Sequence, residues 1–203
     1  MKKRPIFITG IGTEIGKTIV SAVLVEKLKA DYWKPVQSGE LDNSDTMIVQ
    51  NLISNKKSVF HQEAYRLSQP FSPHLSAALD GIEIELDKIN LPQTENQLII
   101  EGAGGLMVPL NEKVLMIDLI EKLDAEVILV SKNYLGSINH TLLSVEILKN
   151  RNIPIKRLIF CGATNKSSED VIYKQTGIEI VRIPFFNTIN KISIREFTEI
   201  LNY

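Results

Sequence analysis

The sequence predicts a doubly wound α/β fold, a mostly parallel sheet with helices on both faces. Three observations predict it. Short apolar runs without alternation recur along the chain, as in strands covered on both sides. Segments of helical period separate them, and neither a repeat nor a linker interrupts the order. Glycines and polar residues then cluster where the runs end, at 10–18, 34–39, 101–105, 131–137 and 161–165. Ligands of such sheets sit at the carboxyl ends of the strands, so one site assembled from several strand ends is expected.

The elements follow in order. Residues 5–10 (Ile6, Phe7, Ile8) form a buried strand, and Val20, Val23, Leu24 and Leu28 give the helix from Thr18 to Ala30 its apolar face. Tyr32 to Val36 is a second strand that Pro35 should end. Residues 37–44 read as loop, and Asp45 opens a helix carrying Met47, Ile48 and Leu52. The stretch 55–74 is irregular, Ser72-Pro73-His74 starts another helix, and a weak amphipathic pattern suggests a helix around 84–90. A strand at 97–101 runs into Gly102-Ala103-Gly104-Gly105. Beyond it come helix 115–123, strand 126–131, helix 137–151, strand 155–161, helix 168–175, strand 178–183 and a closing helix at 193–201.

Composition bounds the function. The 203 residues suit one domain, 1–203, and the formal net charge of −1 gives no basic excess for a nucleic-acid or membrane partner. Cys161 is the only cysteine, which rules out an intrachain disulfide and fits a reducing compartment. No apolar run reaches the ~20 residues of a membrane span. A cytoplasmic protein is expected.

Gly10-Ile11-Gly12-Thr13-Glu14-Ile15-Gly16-Lys17-Thr18 follows the first strand and opens the first helix. Strand, glycine-rich turn, Lys-Thr and helix form a phosphate cradle. The backbone N–H groups and helix N-terminus face the anion, the lysine reaches the β- and γ-phosphates, and the threonine hydroxyl sits on Mg²⁺. Ile11 stands where the standard spacing has its first glycine, so the loop is a wide variant.

Other strand ends add candidates. Lys34, followed by Pro35 and by the Ser38 hydroxyl, would bring a second ammonium toward a γ-phosphate, although a lysine beside a strand end, taken alone, is usually a solvated surface charge. Asp45 either caps its helix, a task Ser44 could share, or joins Thr18 and Glu101 as hard oxygen ligands for Mg²⁺. Glu101 closes a buried apolar strand, where an unpaired carboxylate is costly and a cation partner is expected. His61 reads as a surface residue, His74 as a hydrogen bonder at a helix start, and His140 as packing or interface. No nucleophile-histidine pairing emerges. Asn165-Lys166-Ser167-Ser168 lacks the aspartate of the guanine-reading N-K-x-D motif.

Taken together, Thr9-Gly10, Thr13-Glu14, Gly16-Lys17-Thr18, Lys34-Pro35-Val36, Ser38-Gly39, Ser44-Asp45, Ser72-Pro73-His74, Glu101-Gly102-Ala103-Gly104-Gly105 and Leu135 to His140 resemble the dethiobiotin synthetase family. They stand in that family's order from the first strand to about residue 140, and its members share the wide loop. The resemblance implies ATP-dependent closure of a ureido ring. In that reaction CO₂ adds to 7,8-diaminononanoate as a carbamate, which attacks the γ-phosphate; the second amine then displaces phosphate from the mixed anhydride. It further implies that Lys17, Lys34 and Thr13 carry the chemistry and that Ser38 lies on the substrate. Thr18, Asp45 and Glu101 would hold Mg²⁺. ATP would contact Thr13, Glu14, Ile15, Gly16, Lys17, Thr18 and Glu101, with Gly102, Ala103, Gly104, Pro184 and Phe185 completing its site. Members are homodimers, and the segment matching Gly136, Ser137, Ile138 and Asn139 receives the substrate's chain and carboxylate across the interface. Gly162 stands where many members place an adenine-binding Asn, and Asn165 follows it. The alternative is a dimeric switch or partitioning ATPase of the same fold; those proteins typically carry an extra lysine near the position of Gly12.

Overall fold

A computed structural model describes residues 3–201. Seven strands form one parallel sheet in the order β4-β2-β6-β1-β7-β8-β9. The strands are β1 (Ile6–Gly10), β2 (Asp31–Trp33), β4 (Phe60–His61), β6 (Leu98–Gly105), β7 (Glu126–Lys132), β8 (Ile155–Cys161) and β9 (Ile180–Ile183). From β1 the chain first builds toward β2 and later, after β6 fills the gap, toward β7. β1 is therefore the point where the winding reverses, and its carboxyl end opens the crevice in which such sheets bind ligands.

Each sheet face has its own core, and the alternation along each strand sorts residues between them. Phe7, Ile100, Val127 and Leu129 join one core, which α3 (Pro73–Leu79), α4 (Met116–Lys122), α5 (Ser137–Asn150) and α6 (Lys166–Thr176) cover. Ile6, Ile8, Ile99, Ile128 and Val130 join the other, under α1 (Lys17–Leu28), α2 (Asp45–Leu52) and α7 (Lys191–Ile200). The doubly wound layering expected from the apolar runs is the one found.

Four local expectations are corrected. Pro35 does end β2, but the chain resumes at once as β3 (Val36–Ser38), which pairs in parallel with β5 (Tyr65–Leu67) in a separate two-stranded sheet. Pro35 lacks an N–H and offers only its carbonyl, which accepts from Ala64 N and Tyr65 N at 2.9 and 3.0 Å. The helix expected at 84–90 is a single 3-10 turn at Leu86–Lys88; too few apolar residues there repeat at helical spacing to bury a longer one. The strand expected at 97–101 continues to Gly105, so Glu101 lies mid-strand rather than at its end. His61 is half-buried rather than free on the surface. It lies on β4 with its Nε2 3.4 Å from Oδ2 of the buried Asp31, whose carboxylate also accepts from Val59 N, Thr94 Oγ1 and Asn96 Nδ2.

Candidate active site

The loop after β1 turns through two left-handed residues, Glu14 (φ 53°) and Gly16 (φ 100°), before α1 begins at Lys17. Among the described residues, the N–H groups of residues 12–16 have no hydrogen-bond acceptor. They are the donors an anion at the helix N-terminus would use. The Lys17 ammonium folds back onto Gly12 O at 3.0 Å. Burial lowers its pKa, as does the nearby Lys34, while Glu101 and Asp45 pull it up. Ile15 turns its side chain into the core against Gly10, leaving only its backbone for the loop. Cys161 packs beneath Gly16: a Cβ there would stand 2.9 Å from its Sγ.

Lys34 reaches the same site from the residue joining β2 to β3. It is buried, and its Nζ contacts Asp45 Oδ2 and, at 3.3 Å, Glu101 Oε1. Burial alone would lower its pKa, but the two carboxylates outweigh that and hold it above the usual lysine value. For Asp45, burial would raise the pKa; Lys34, the Thr18 hydroxyl and Lys17 keep it below the usual carboxylate range. The choice left open at the start of α2 is resolved by Ser44, whose Oγ accepts from Met47 N at 3.4 Å as the cap. Asp45 is thereby released to face the site. Gln37 Oε1 holds the Asp45 backbone N at 3.3 Å.

Thr18 Oγ1 stands 2.7 Å from Asp45 Oδ1 and 3.0 Å from Glu101 Oε1. With one proton it can satisfy only one carboxylate at a time, and a lone pair remains for a cation. Three hard oxygens meeting at one point, two of them anionic, are a donor set that fits Mg²⁺, which adds water and substrate phosphate oxygens to one or two carboxylates. The second oxygen of Glu101 is held by Ser21 Oγ at 2.7 Å and Tyr32 OH at 3.0 Å. Burial, Glu101 and Asp45 raise the Tyr32 pKa well above its usual value, so the phenol stays a donor.

Lys17, Thr18, Lys34, Gln37, Asp45 and Glu101 line a cavity of about 760 Å³ with Thr13, Glu14, Gly16, Ser38, Ala103 and Gly104. Ser38 Oγ is buried beside it and has no hydrogen-bond partner among the described residues, the kind of orphan a ligand satisfies. Gly102 lies apart, against the Phe7 ring. Pro184 and Phe185 follow β9; the exposed Phe185 ring covers Gly162, where a Cβ would meet it at 2.7 Å. Gly136, Ile138 and Asn139 line a different hollow at the start of α5, together with Asn133, Asn165 and Ser168.

One buried carboxylate ties the outer strand ends together. Glu169 Oε1 accepts from Asn133 Nδ2 at 2.7 Å and from Asn165 N at 3.0 Å, and its Oε2 accepts from Arg182 Nε at 2.5 Å.

Residues 4–192 match a family profile described as an AAA domain. The chain is 53% identical over 197 residues to the ATP-dependent dethiobiotin synthetase BioD of Christiangramia forsetii, covering 95% of this chain and 93% of that protein. It is also 53% identical over 176 residues to the protein of that name from Cytophaga hutchinsonii, covering 86% of this chain and 85% of the relative. The chain belongs to the dethiobiotin synthetase family. Its fold is also that of a Pyrococcus furiosus cell division ATPase MinD (TM-score 0.61, 12% identity, 97% and 98% of the two chains covered). A ParA family ATPase from Chlorobium tepidum is similar at TM-score 0.58 and 14% identity, covering 98% and 100%.

Of the residues that the resemblance to dethiobiotin synthetases singled out, the structure gathers Thr13, Glu14, Gly16, Lys17, Thr18, Lys34, Ser38, Asp45, Glu101, Ala103 and Gly104 around one cavity. It leaves Ile15, Gly102, Pro184, Phe185 and the 136–139 segment outside that cavity's lining. Ser21, Tyr32, Gln37 and Glu169 were missed. For Ser21 a signal existed: it lies three residues after Thr18 and shares its helix face.

Proposed function

We propose that the chain is an ATP-dependent dethiobiotin synthetase that closes the ureido ring of carbamylated 7,8-diaminononanoate. The observation that carries the reading is the convergence of two ammonium groups, Lys17 and Lys34, with Asp45 and Glu101 at the mouth of a phosphate-binding loop. A carbamate attacking a phosphate brings two anions together, and two fixed cations in a partly dry pocket stabilise the charge that develops. The attacking group is the substrate's own carbamate oxygen, so no protein nucleophile is required.

Residues divide the work as follows. The free N–H groups of 12–16 and the α1 N-terminus hold the triphosphate. Lys17 bridges the β- and γ-phosphates, with Thr13 beside it, and shares the carbamate oxygens with Lys34. Ser38 Oγ, lacking a partner among the described residues, donates to the substrate. Thr18, Asp45 and Glu101 would hold Mg²⁺, which supplies charge neutralisation of the phosphate oxygens. Phe185 gives the base an exposed aromatic face beyond Gly162. The 136–139 segment receives the substrate carboxylate of a second copy, since it opens a 14-residue helix behind a left-handed Gly136. The proposed partners are the small-molecule substrates and that second copy, and the proposed compartment is the cytoplasm. No described helix is long and apolar enough to cross a membrane.

Incubation with diaminononanoate, bicarbonate and Mg-ATP should yield dethiobiotin, ADP and phosphate, and chelation of the metal should stop it. Phosphate release without ring product would favour a switch ATPase instead.

A further inference from the structure

Glu101 has two oxygens with different neighbours. Oε1 faces Thr18 and Lys34, on the cavity side. Oε2 faces into the protein, where the Ser21 and Tyr32 hydroxyls both donate to it. Three elements set this geometry. Tyr32 on β2 pairs with Ile99 on β6, and two residues further along β6 Glu101 returns to the same face of the sheet, under α1. Thr18 and Ser21, three residues apart on α1, overhang that face. Thr18 thus meets one carboxylate oxygen and Ser21 the other.

We infer that Tyr32 and Ser21 are positioning residues for the metal: by clamping Oε2 they fix the rotation of the Glu101 carboxylate so that Oε1 points at the Thr18–Asp45 vertex. The inference rests on the proposed Mg²⁺ site. Free rotation about the last side-chain bond would otherwise spread the oxygens over a broad, nearly two-fold range, whereas Mg²⁺ demands near-ideal octahedral placement. Tyr32 is fully buried and its hydroxyl has no partner except Glu101 among the described residues. A buried phenol in an otherwise apolar cluster, beside Phe60 and Ile99, would pack as well as phenylalanine. Its oxygen is spent on one carboxylate, as partners of metal-ligating groups are.

The test uses the full chain and Mn²⁺ as probe, titrated in the presence of ADP and followed by its EPR signal, with thermal unfolding in parallel. Tyr32→Phe and Ser21→Ala should each weaken Mn²⁺ binding about 10-fold or more and raise the Mg²⁺ concentration for half-maximal turnover in step. ADP affinity in EDTA should stay unchanged, and kcat should recover toward wild type at saturating Mg²⁺. Unchanged Mn²⁺ affinity in both variants, even with a lowered Tm, overturns the inference; if Tyr32→Phe does not fold, Ser21→Ala decides alone. Asp45→Asn separates the levels. Loss of Mn²⁺ binding there but not in the other two defeats the clamp alone, and retention in all three defeats the metal site as well.

Discussion

The Lys34 ammonium lies 3.3 Å from Glu101 Oε1 and also reaches Asp45 Oδ2, so one buried cation is shared by two carboxylates from different elements. Lys34→Ala would leave those charges without it. The expected result is a loss of turnover with ATP binding largely retained, because Lys17 and the loop N–H groups remain. A stability loss of about 3–5 kcal/mol should accompany it, as for other broken buried pairs. Product formation at the wild-type rate would remove Lys34 from the chemistry, and an unchanged unfolding free energy would remove it from the charge balance.

Phe185 is 69% exposed and yet covers Gly162. An aromatic face in the open beside a nucleotide loop is worth about 1–3 kcal/mol when a base stacks on it. Phe185→Ala should therefore raise KM for ATP about fivefold or more and leave kcat near its original value. Equal KM values in steady-state kinetics would take the residue out of base binding.

Asp31 makes a pH prediction at the opposite end of the strands. Burial would raise its pKa, but donors from Thr94, Asn96, Val59 and His61 outweigh this and hold the carboxyl below the usual range. A depressed folded value means stability that is present above the unfolded pKa, about 3.9, and lost as pH falls through the folded one. Urea unfolding should find Asp31→Asn less stable than wild type by about 1–3 kcal/mol at pH 7, with the gap narrowing below pH 4. A gap constant down to pH 3 would contradict the assignment.

Cys161 offers a chemical check on the floor of the loop. Burial pushes its thiol up to about 12, against a small opposing pull from Lys132. Since the thiolate is the reactive form, iodoacetamide at pH 8 should alkylate the native protein far more slowly than the protein in denaturant. Mass spectrometry would score it cleanly, because this is the only cysteine. Similar rates in both states would mean that the thiol is not packed under Gly16.

What the sequence revealed and what it hid divide along physical lines. Lys17 and Thr18 were legible from the glycine-rich loop between strand and helix, and Glu101 because a carboxylate closing an apolar run is costly without a partner, whereas Lys34 and Asp45 stood out only beside the other motifs of the family. Tyr32 and Ser21 were not, since a tyrosine in an apolar strand and a serine on a helix face fit a core equally well. β4 and β5 are two and three residues long, too short for any period to register. The Asp31 cluster was hidden for another reason: its donors Thr94 and Asn96 lie 63 and 65 residues away, and only the finished sheet brings them together. Gln37 was hidden differently: its segment is polar and reads as loop, although its amide bonds Asp45 N and Gly39 O, both close by in sequence.

Glu169 has a consequence for how the chain tolerates change in length. Its carboxylate binds groups from the ends of β7 and β8 and from β9 at once. A residue inserted into any one of these segments shifts its donor by about 3.3 Å, beyond what the other two hydrogen bonds can follow. Insertions and deletions should therefore be rejected at 131–135, 162–168 and 182–185 unless matched elsewhere. They should be accepted at residues 81–83, where the chain is exposed between the end of α3 and the buried Ile84. An insertion scan read by soluble yield would show three closed windows and one open.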